Sequence, residues 1–332
     1  MTSCSTSACI DRTRNDETST FKTDVLEGLT QTPKSLPCKH FYDQRGSELF
    51  DRICELPEYY PTRTELAIMR EHADEIAAAI GPGAVLVEYG SGSSVKTRLL
   101  LDALPEPAAY VPVDISEEHL HATAEKLSQA YPTIDIVPVA ADFTRPFELP
   151  ALAREASHAA VYFPGSTIGN FVPDDAASLL KQIAQLVGVG GGLVIGIDLQ
   201  KETAVLEAAY NDAQGVTAEF NKNLLRRINN ELDADVTIEG FEHRAVYDDD
   251  AGRVSLSLVA EEPQTATIEG EAIDFAAGEA IHTEYSHKYT IDGFAELAAH
   301  AGFQLRKAWT DPKEWFAVLH LVVEASAAET DF

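Results

Sequence analysis

Three apolar runs in this sequence each end in residues able to hold a small polar ligand. "AVLVEY" runs into Gly90, Ser91 and Gly92, "YVPVD" ends on Asp114, and "VAADF" ends on Asp142 and Phe143. Glycines at such a point let a ligand approach the backbone, and a following helix end offers unpaired N–H groups. A carboxylate at the second position can accept hydrogen bonds from both hydroxyls of a ribose. At the third, an acid can take the exocyclic amine of adenine while the neighbouring backbone N–H meets a ring nitrogen. Singly, each has an ordinary reading as a turn or a helix cap. Gly, Asp and Asp at three successive run ends form a stronger signal than any one of them.

Those residues need elements to position them. Thr62 and Glu65 form a capping-box signature, and the helix after it carries Leu66, Met69, Ala73, Ile76 and Ile80 on one stripe before stopping at Gly81-Pro82. From there strands and helices alternate. "AVLVEYG", "AYVPVDIS", "IDIVPVAADF", "HAAVYFPGSTIGN" and "GGGLVIGIDL" read as strands, with "SVKTRLLLDAL", "EEHLHATAEKLSQAY" and "DDAASLLKQIAQLV" as helices between them. The strands are apolar throughout, which argues a parallel sheet covered on both faces. Lys201 to Asn230 then reads as long helices and Phe241 to Ser286 as alternating strands. The end returns to the first pattern as a helix, a strand and a closing strand. The expected fold is therefore α/β, a doubly wound Rossmann-like sheet with a second, α+β domain.

The bulk composition narrows the partners. Of 332 residues, 54 are acidic and 25 basic, giving a formal net charge of −29. Such a chain is repelled by phosphate backbones and anionic membrane surfaces, so neither nucleic acid nor a membrane is expected as a partner. No apolar run reaches bilayer length, and the start lacks the pattern of a signal peptide. The four cysteines, Cys4, Cys9, Cys38 and Cys54, show no zinc-type pairing and read as free thiols in a reducing cytoplasm. The ten histidines are scattered with no H-x-x-x-H, so no metal site is expected.

A dinucleotide loop needs a third glycine in G-x-G-x-x-G, and that position here is Val95, followed by Lys96. E-x-G-S-G with acids after the next two strands instead resembles the class I methyltransferases, whose donor is S-adenosylmethionine and whose sheet closes with an antiparallel strand. The resemblance narrows at "TPKSLPCKHFYDQRGSELFDRICELPEYYPTRTE", "EYGSGSSVKTRLLLDAL", "PGSTIGNF", "AYNDAQGVTAEFN" and "FAAGEAIHTEYSHKY". Together these are similar to the histidine Nα-methyltransferase family of ergothioneine biosynthesis, in family order from about residue 22 to residue 320.

The resemblance implies trimethylation of the α-amine of L-histidine to hercynine. It assigns Gly90, Lys96, Asp114, Asp142 and Phe143 to the methyl donor, and Asn170 and Tyr210 to the substrate carboxylate. Tyr59, Glu284 and Ser286 fall to the imidazole, and Tyr42, in "HFYD", matches a tyrosine near the amine, a candidate proton relay. Without the family, Tyr59 reads as a packed aromatic with a satisfied hydroxyl, Tyr42 also as a structural tyrosine, Glu284 as a solvent-facing strand acid and Tyr210 as core. Tyr89 departs from the aliphatic residue common in the family. The expected organisation is a tail over 1–15, a methyltransferase core over 64–200 and 287–324, and a substrate-binding domain over 16–63 and 201–286 that closes over the amino acid. The chain is expected to act as a monomer in the cytoplasm. Two other readings stay open: an N-methyltransferase for another amino acid such as a tryptophan derivative, and a non-catalytic S-adenosylmethionine sensor.

Overall fold

The computed structural model describes residues 19–90 and 95–325. The expected tail over 1–15, Cys4, Cys9, Ser91 and Gly92 lie outside the described residues. In chain order the elements are α1 (19–30), β1 (Lys34–Ser35), α2 (Gln44–Glu55), α3 (Pro61–Ile80), β2 (Ala84–Tyr89), α4 (Val95–Ala103) and β3 (Ala109–Asp114). These are followed by α5 (Glu117–Ala130), β4 (Asp135–Ile136), β5 (Val139–Ala140), β6 (His158–Phe163), α6 (Pro173–Val187) and β7 (Gly192–Asp198). Next come α7 (Thr203–Tyr210), α8 (Val216–Glu231), β8 (Phe241–Asp248), β9 (Arg253–Ala260), β10 (Gln264–Ile268), β11 (Glu271–Phe275) and β12 (Ala280–His287). Last are α9 (Ile291–Ala299), β13 (Phe303–Thr310) and β14 (Phe316–Val323).

The chain divides into two compact units. One is built from residues up to Tyr60 and Glu202–Ser286, the other from Pro61–Lys201 and the chain from His287 onward.

The second unit is the doubly wound sheet, ordered β13-β14-β7-β6-β2-β3-β4, with β5 also paired to β3. Every residue of β2 and β7 is buried, because helices cover both faces and neither can be polar. One core, with Val87, Val111, Val161 and Leu179, lies on one face, and another, with Ile68, Leu86, Tyr110 and Val194, on the other. β2, β3, β6 and β7 run parallel. β14 enters antiparallel between β7 and β13.

Two readings of this unit need correction. The third strand, expected over "IDIVPVAADF", is broken into β4 and β5 around Pro138, which has no N–H to give the ladder. Val137 N–H reaches Tyr110 O at 2.9 Å and Ala141 N–H reaches Asp114 O at 3.0 Å, so the register on β3 survives the break. Helix α3 begins at Pro61, a residue preorganised for the first helical turn, and Glu65 is committed elsewhere than to a capping box.

The first unit pairs β1-β12-β9-β8 in one sheet and β10-β11 in a hairpin. Its own core joins Phe21, Phe41, Ile53, Leu224, Phe241 and Ile281. The helical stretch after Lys201 is split into α7 and α8, because Asp212 folds back onto the backbone N–H of Val216 at 2.9 Å and of Thr217 at 2.7 Å. That carboxylate satisfies two donors that a helix start leaves unpaired.

Candidate functional site

In the doubly wound unit, β2 leads to β3 and β4 on one side while β6 leads to β7 on the other. Strand order reverses between β2 and β6, and ligands of open α/β sheets bind in the crevice beyond the strand ends at such a point. The segment after β2 begins at Gly90, whose φ is +69° and whose N–H donates to Val113 O at 3.0 Å. A Cβ built there meets nothing within 4 Å among the described residues. Asp114 ends β3 and receives the Ser116 N–H at 3.0 Å on Oδ1. Asp142 follows β5 and receives the Thr144 N–H and hydroxyl on Oδ1 at 3.0 and 2.5 Å. These local bonds fix the orientation of both carboxylates. Phe143 stacks on Tyr89 with centroids 5.0 Å apart and planes inclined by 19°. The departure from the family at position 89 thus supplies a second ring beneath the first.

The start of α4 is held from below by two acids. Thr97 Oγ1 lies 2.8 and 3.0 Å from the two oxygens of Glu88, and the Tyr110 hydroxyl donates to the same carboxylate at 2.6 Å. Burial pushes Glu88 up to about 7, against the pull of those donors. Lys96 places its ammonium on Glu65, whose side chain is wholly buried. Beyond β6, Asn170 ends the 3-10 turn Thr167–Asn170. The Nδ1–H of His287 donates to Gly169 O at 2.8 Å, and a Cβ on Gly169 would sit 2.8 Å from His287 O. Only glycine fits there.

In the other unit the structure gathers Tyr42, Tyr59, Tyr210, Glu284 and Ser286. The Tyr210 hydroxyl and Ser286 Oγ lie 2.7 Å apart. Tyr59 meets the Tyr210 ring edge-on at 6.1 Å and Phe50 at 6.2 Å. Tyr42 packs edge-on against Phe50 at 5.6 Å and Phe220 at 5.7 Å, yet 45% of it is open to water. Desolvation by the surrounding atoms, then Glu284, lifts the Tyr42 phenol well above its ordinary range. Desolvation, then Tyr210, does the same at Tyr59, with Glu284 adding to it. Burial, then Glu284, pushes the Cys38 thiol up to about 12. One carboxylate, from β12, therefore influences three groups of the N-terminal segment, Cys38, Tyr42 and Tyr59. All of them stay neutral at ordinary pH.

Two supporting residues escaped sequence reasoning. His243, one of ten scattered histidines, accepts from Asn221 Nδ2 at Nδ1 (2.8 Å) and donates from Nε2 to Tyr210 O (2.8 Å), anchoring the end of α7. Burial lowers its pKa, in keeping with a neutral ring that both accepts and donates. Nothing in its sequence neighbourhood marks it. Glu65 was visible, but as a helix cap.

A parallel sheet with reversed order at β2/β6, an antiparallel strand next to β7, and Gly, Asp and Asp at successive strand ends define a class I methyltransferase, whose methyl donor is S-adenosylmethionine. The two fixed carboxylate acceptors, with the positive φ of Gly90 at the end of β2, suit the nucleoside of that donor. Residues 21–323 match the family of histidine-specific, S-adenosylmethionine-dependent methyltransferases, and the chain belongs to it. It is 43% identical over 299 residues to histidine N-alpha-methyltransferase of Mycolicibacterium smegmatis, covering 88% of this chain and 91% of the relative. The enzyme of that name from Mycobacterium tuberculosis is 43% identical over 298 residues with the same coverage. Ergothioneine biosynthesis protein 1 of Neurospora crassa is 33% identical over 300 residues, 88% of this chain but 33% of that longer protein.

Proposed function

We propose that this chain transfers three methyl groups in turn to the α-amine of L-histidine, giving the betaine hercynine on the route to ergothioneine. The observation that carries the reading is the Tyr210–Ser286 hydroxyl pair, 2.7 Å apart, beside Tyr59 and within the influence of the Glu284 carboxylate. Phenol, hydroxyl and carboxylate together suit an amino acid with a polar, ionisable ring. Tyr210 and Asn170 are assigned the substrate carboxylate: a phenol and an amide donate to it without neutralising it. Glu284 and Ser286, with Tyr59, are assigned the imidazole. Gly90, Lys96, Asp114, Asp142 and Phe143 are assigned the methyl donor. When bound, S-adenosylmethionine supplies a methyl already activated by its sulfonium, so the protein's work is to align the amine and exclude water.

The amine must shed a proton before each transfer. Tyr42, a neutral phenol at ordinary pH, is the candidate to pass that proton along a hydrogen-bonded chain to water. The residues up to Tyr60 and Glu202–Ser286 act, on this reading, as the substrate-binding part. The reading extends to a monomer in the cytoplasm without nucleic-acid or membrane partners. In support, the net charge is −29, and no helix among the described residues is long and apolar enough to cross a membrane.

The test is to mix the purified chain with S-adenosylmethionine and each amino acid separately and follow the products by mass. Histidine should gain three methyl groups. Methylation of tryptophan without turnover of histidine would overturn the assignment.

A further inference from the structure

The segment "LPEYYPTRTE" ends in Glu65, to which the proposed reaction assigns no task. Its side chain is 0% exposed, and a buried carboxylate is tolerated only when its oxygens are well partnered. The partners come from the two segments that flank the switch point of the sheet. Lys96, in the first turn of α4, gives its ammonium to Oε2 at 2.5 Å. The Gly165 N–H, just beyond β6, reaches Oε1 at 3.1 Å and Oε2 at 3.0 Å. Gly165 leads directly into the Thr167–Asn170 turn.

The sheet is shaped around this carboxylate. A Cβ on Gly196, in the middle of β7, would lie 2.4 Å from Glu65 Oε1 and 3.0 Å from the Phe316 ring. Strand β7 has no side chain at the one place where the carboxylate enters.

We infer that Glu65 is a positioning residue that ties the donor-binding start of α4 to the substrate-binding turn after β6, so that binding of one ligand tightens binding of the other. The inference rests on the assignment of Lys96 to the donor and Asn170 to histidine. A rigid tie of this kind transmits order in both directions: a ligand that fixes Lys96 also fixes Gly165, and the converse holds to the same factor. Glu65 touches neither ligand and acts only through these partners.

The experiment is calorimetry of L-histidine with and without S-adenosylhomocysteine, and of S-adenosylhomocysteine alone. It is run on wild type, Glu65→Gln and Gly196→Ala, with thermal melting to establish that each variant is folded. Glu65→Gln keeps an acceptor for Gly165 but loses the charge facing Lys96. Gly196→Ala keeps every charge and displaces the carboxylate. In wild type, S-adenosylhomocysteine should tighten histidine binding. In both variants that factor should fall towards one, and S-adenosylhomocysteine alone should bind about tenfold more weakly in Glu65→Gln. Combining Glu65→Gln with Lys96→Met should weaken it little beyond Lys96→Met alone, because the two act along one path. Global destabilisation would not change the ratio of the two histidine affinities.

A folded variant with the wild-type factor overturns the inference, as does a wild type whose histidine affinity ignores S-adenosylhomocysteine. A wild type that binds S-adenosylhomocysteine but never histidine overturns instead the function proposed above.

Discussion

Tyr210 and Ser286, 76 residues apart in sequence, share a hydrogen bond of 2.7 Å between their hydroxyls. The proposed reading gives them different ends of the same substrate, the carboxylate and the imidazole. Each hydroxyl thus orients the other, and the spacing between the two ends of the ligand is built into the pair. Tyr210→Phe removes one phenolic donor and leaves Ser286 without that partner. Histidine KM should rise about tenfold or more, the cost of one unpaired polar contact to a charged group, with a smaller fall in kcat. Histamine, lacking the carboxylate, should be a poor substrate for wild type. Histamine methylated as readily as histidine would remove Tyr210 and Asn170 from that task.

Selectivity for histidine should reside in Glu284. A carboxylate beside imidazole accepts its N–H or pairs with imidazolium, a charge-assisted bond of about 1.5–3 kcal/mol in a closed site. Beside an indole or phenyl ring it is left desolvated without that return. Glu284→Ala should lower kcat/KM for histidine while S-adenosylmethionine binding is kept. The ratio of kcat/KM for histidine over tryptophan should fall. An unchanged ratio would mark Glu284 as an ordinary strand acid.

Asp114 spends Oδ1 on the Ser116 N–H and, on the proposed reading, its other acceptor capacity on a ribose. Asp114→Ala should weaken S-adenosylmethionine binding by about 1–3 kcal/mol and leave histidine binding to the free enzyme nearly as it was. Calorimetry that finds wild-type donor affinity would exclude the residue from the site.

Glu88 confers a pH dependence on stability. Burial raises its pKa from 4.5 to about 7, so over that window the folded state holds a proton that the unfolded state has released. Stability from this group is fully present below the ordinary carboxylate range and is lost as pH rises through about 7. Relative to Glu88→Gln, which cannot titrate, wild type should lose about 2–3 kcal/mol between about pH 5 and about pH 8. Parallel denaturation curves for the two proteins across that range would refute the assignment.

The Asn170 turn should be sensitive to a single methyl. Gly169→Ala forces a Cβ to within 2.8 Å of His287 O, a backbone atom that cannot swing away. The turn must shift, at a cost of about 1–3 kcal/mol in stability, and histidine affinity should drop with S-adenosylhomocysteine affinity much less affected. Equal losses for both ligands would show that the substitution acts on the whole sheet.

Much of this was legible in the chain. Buried parallel strands announce themselves as unbroken apolar runs, which is why β2, β6 and β7 could be located and why Gly90, Asp114 and Asp142 could be read as strand-end residues. Pro138 was in plain view within an apolar run, yet the run masked the break it makes. Glu65 was misread because a carboxylate three residues into a helix has two uses, and only the tertiary fold brings Lys96 and Gly165 to it. His243 gave no signal at all. It acts on the backbone carbonyl of Tyr210, and backbone partners leave no trace in side-chain spacing.

Strand β14 lies between β7 and β13, paired along nearly its full length to both. Every residue of β7 is buried, and the strand that covers its open edge is the last of the sheet to leave the ribosome. Until Phe316–Val323 arrives, β7 presents a bare ladder flanked by apolar side chains, the kind of edge on which nascent chains associate. β1 and β12 make a similar demand in the other unit, where Lys34 waits for Ile281. Neither sheet can be completed until most of the chain has been made. While those two edges stay bare, association between chains competes with folding, and that competition grows with chain concentration.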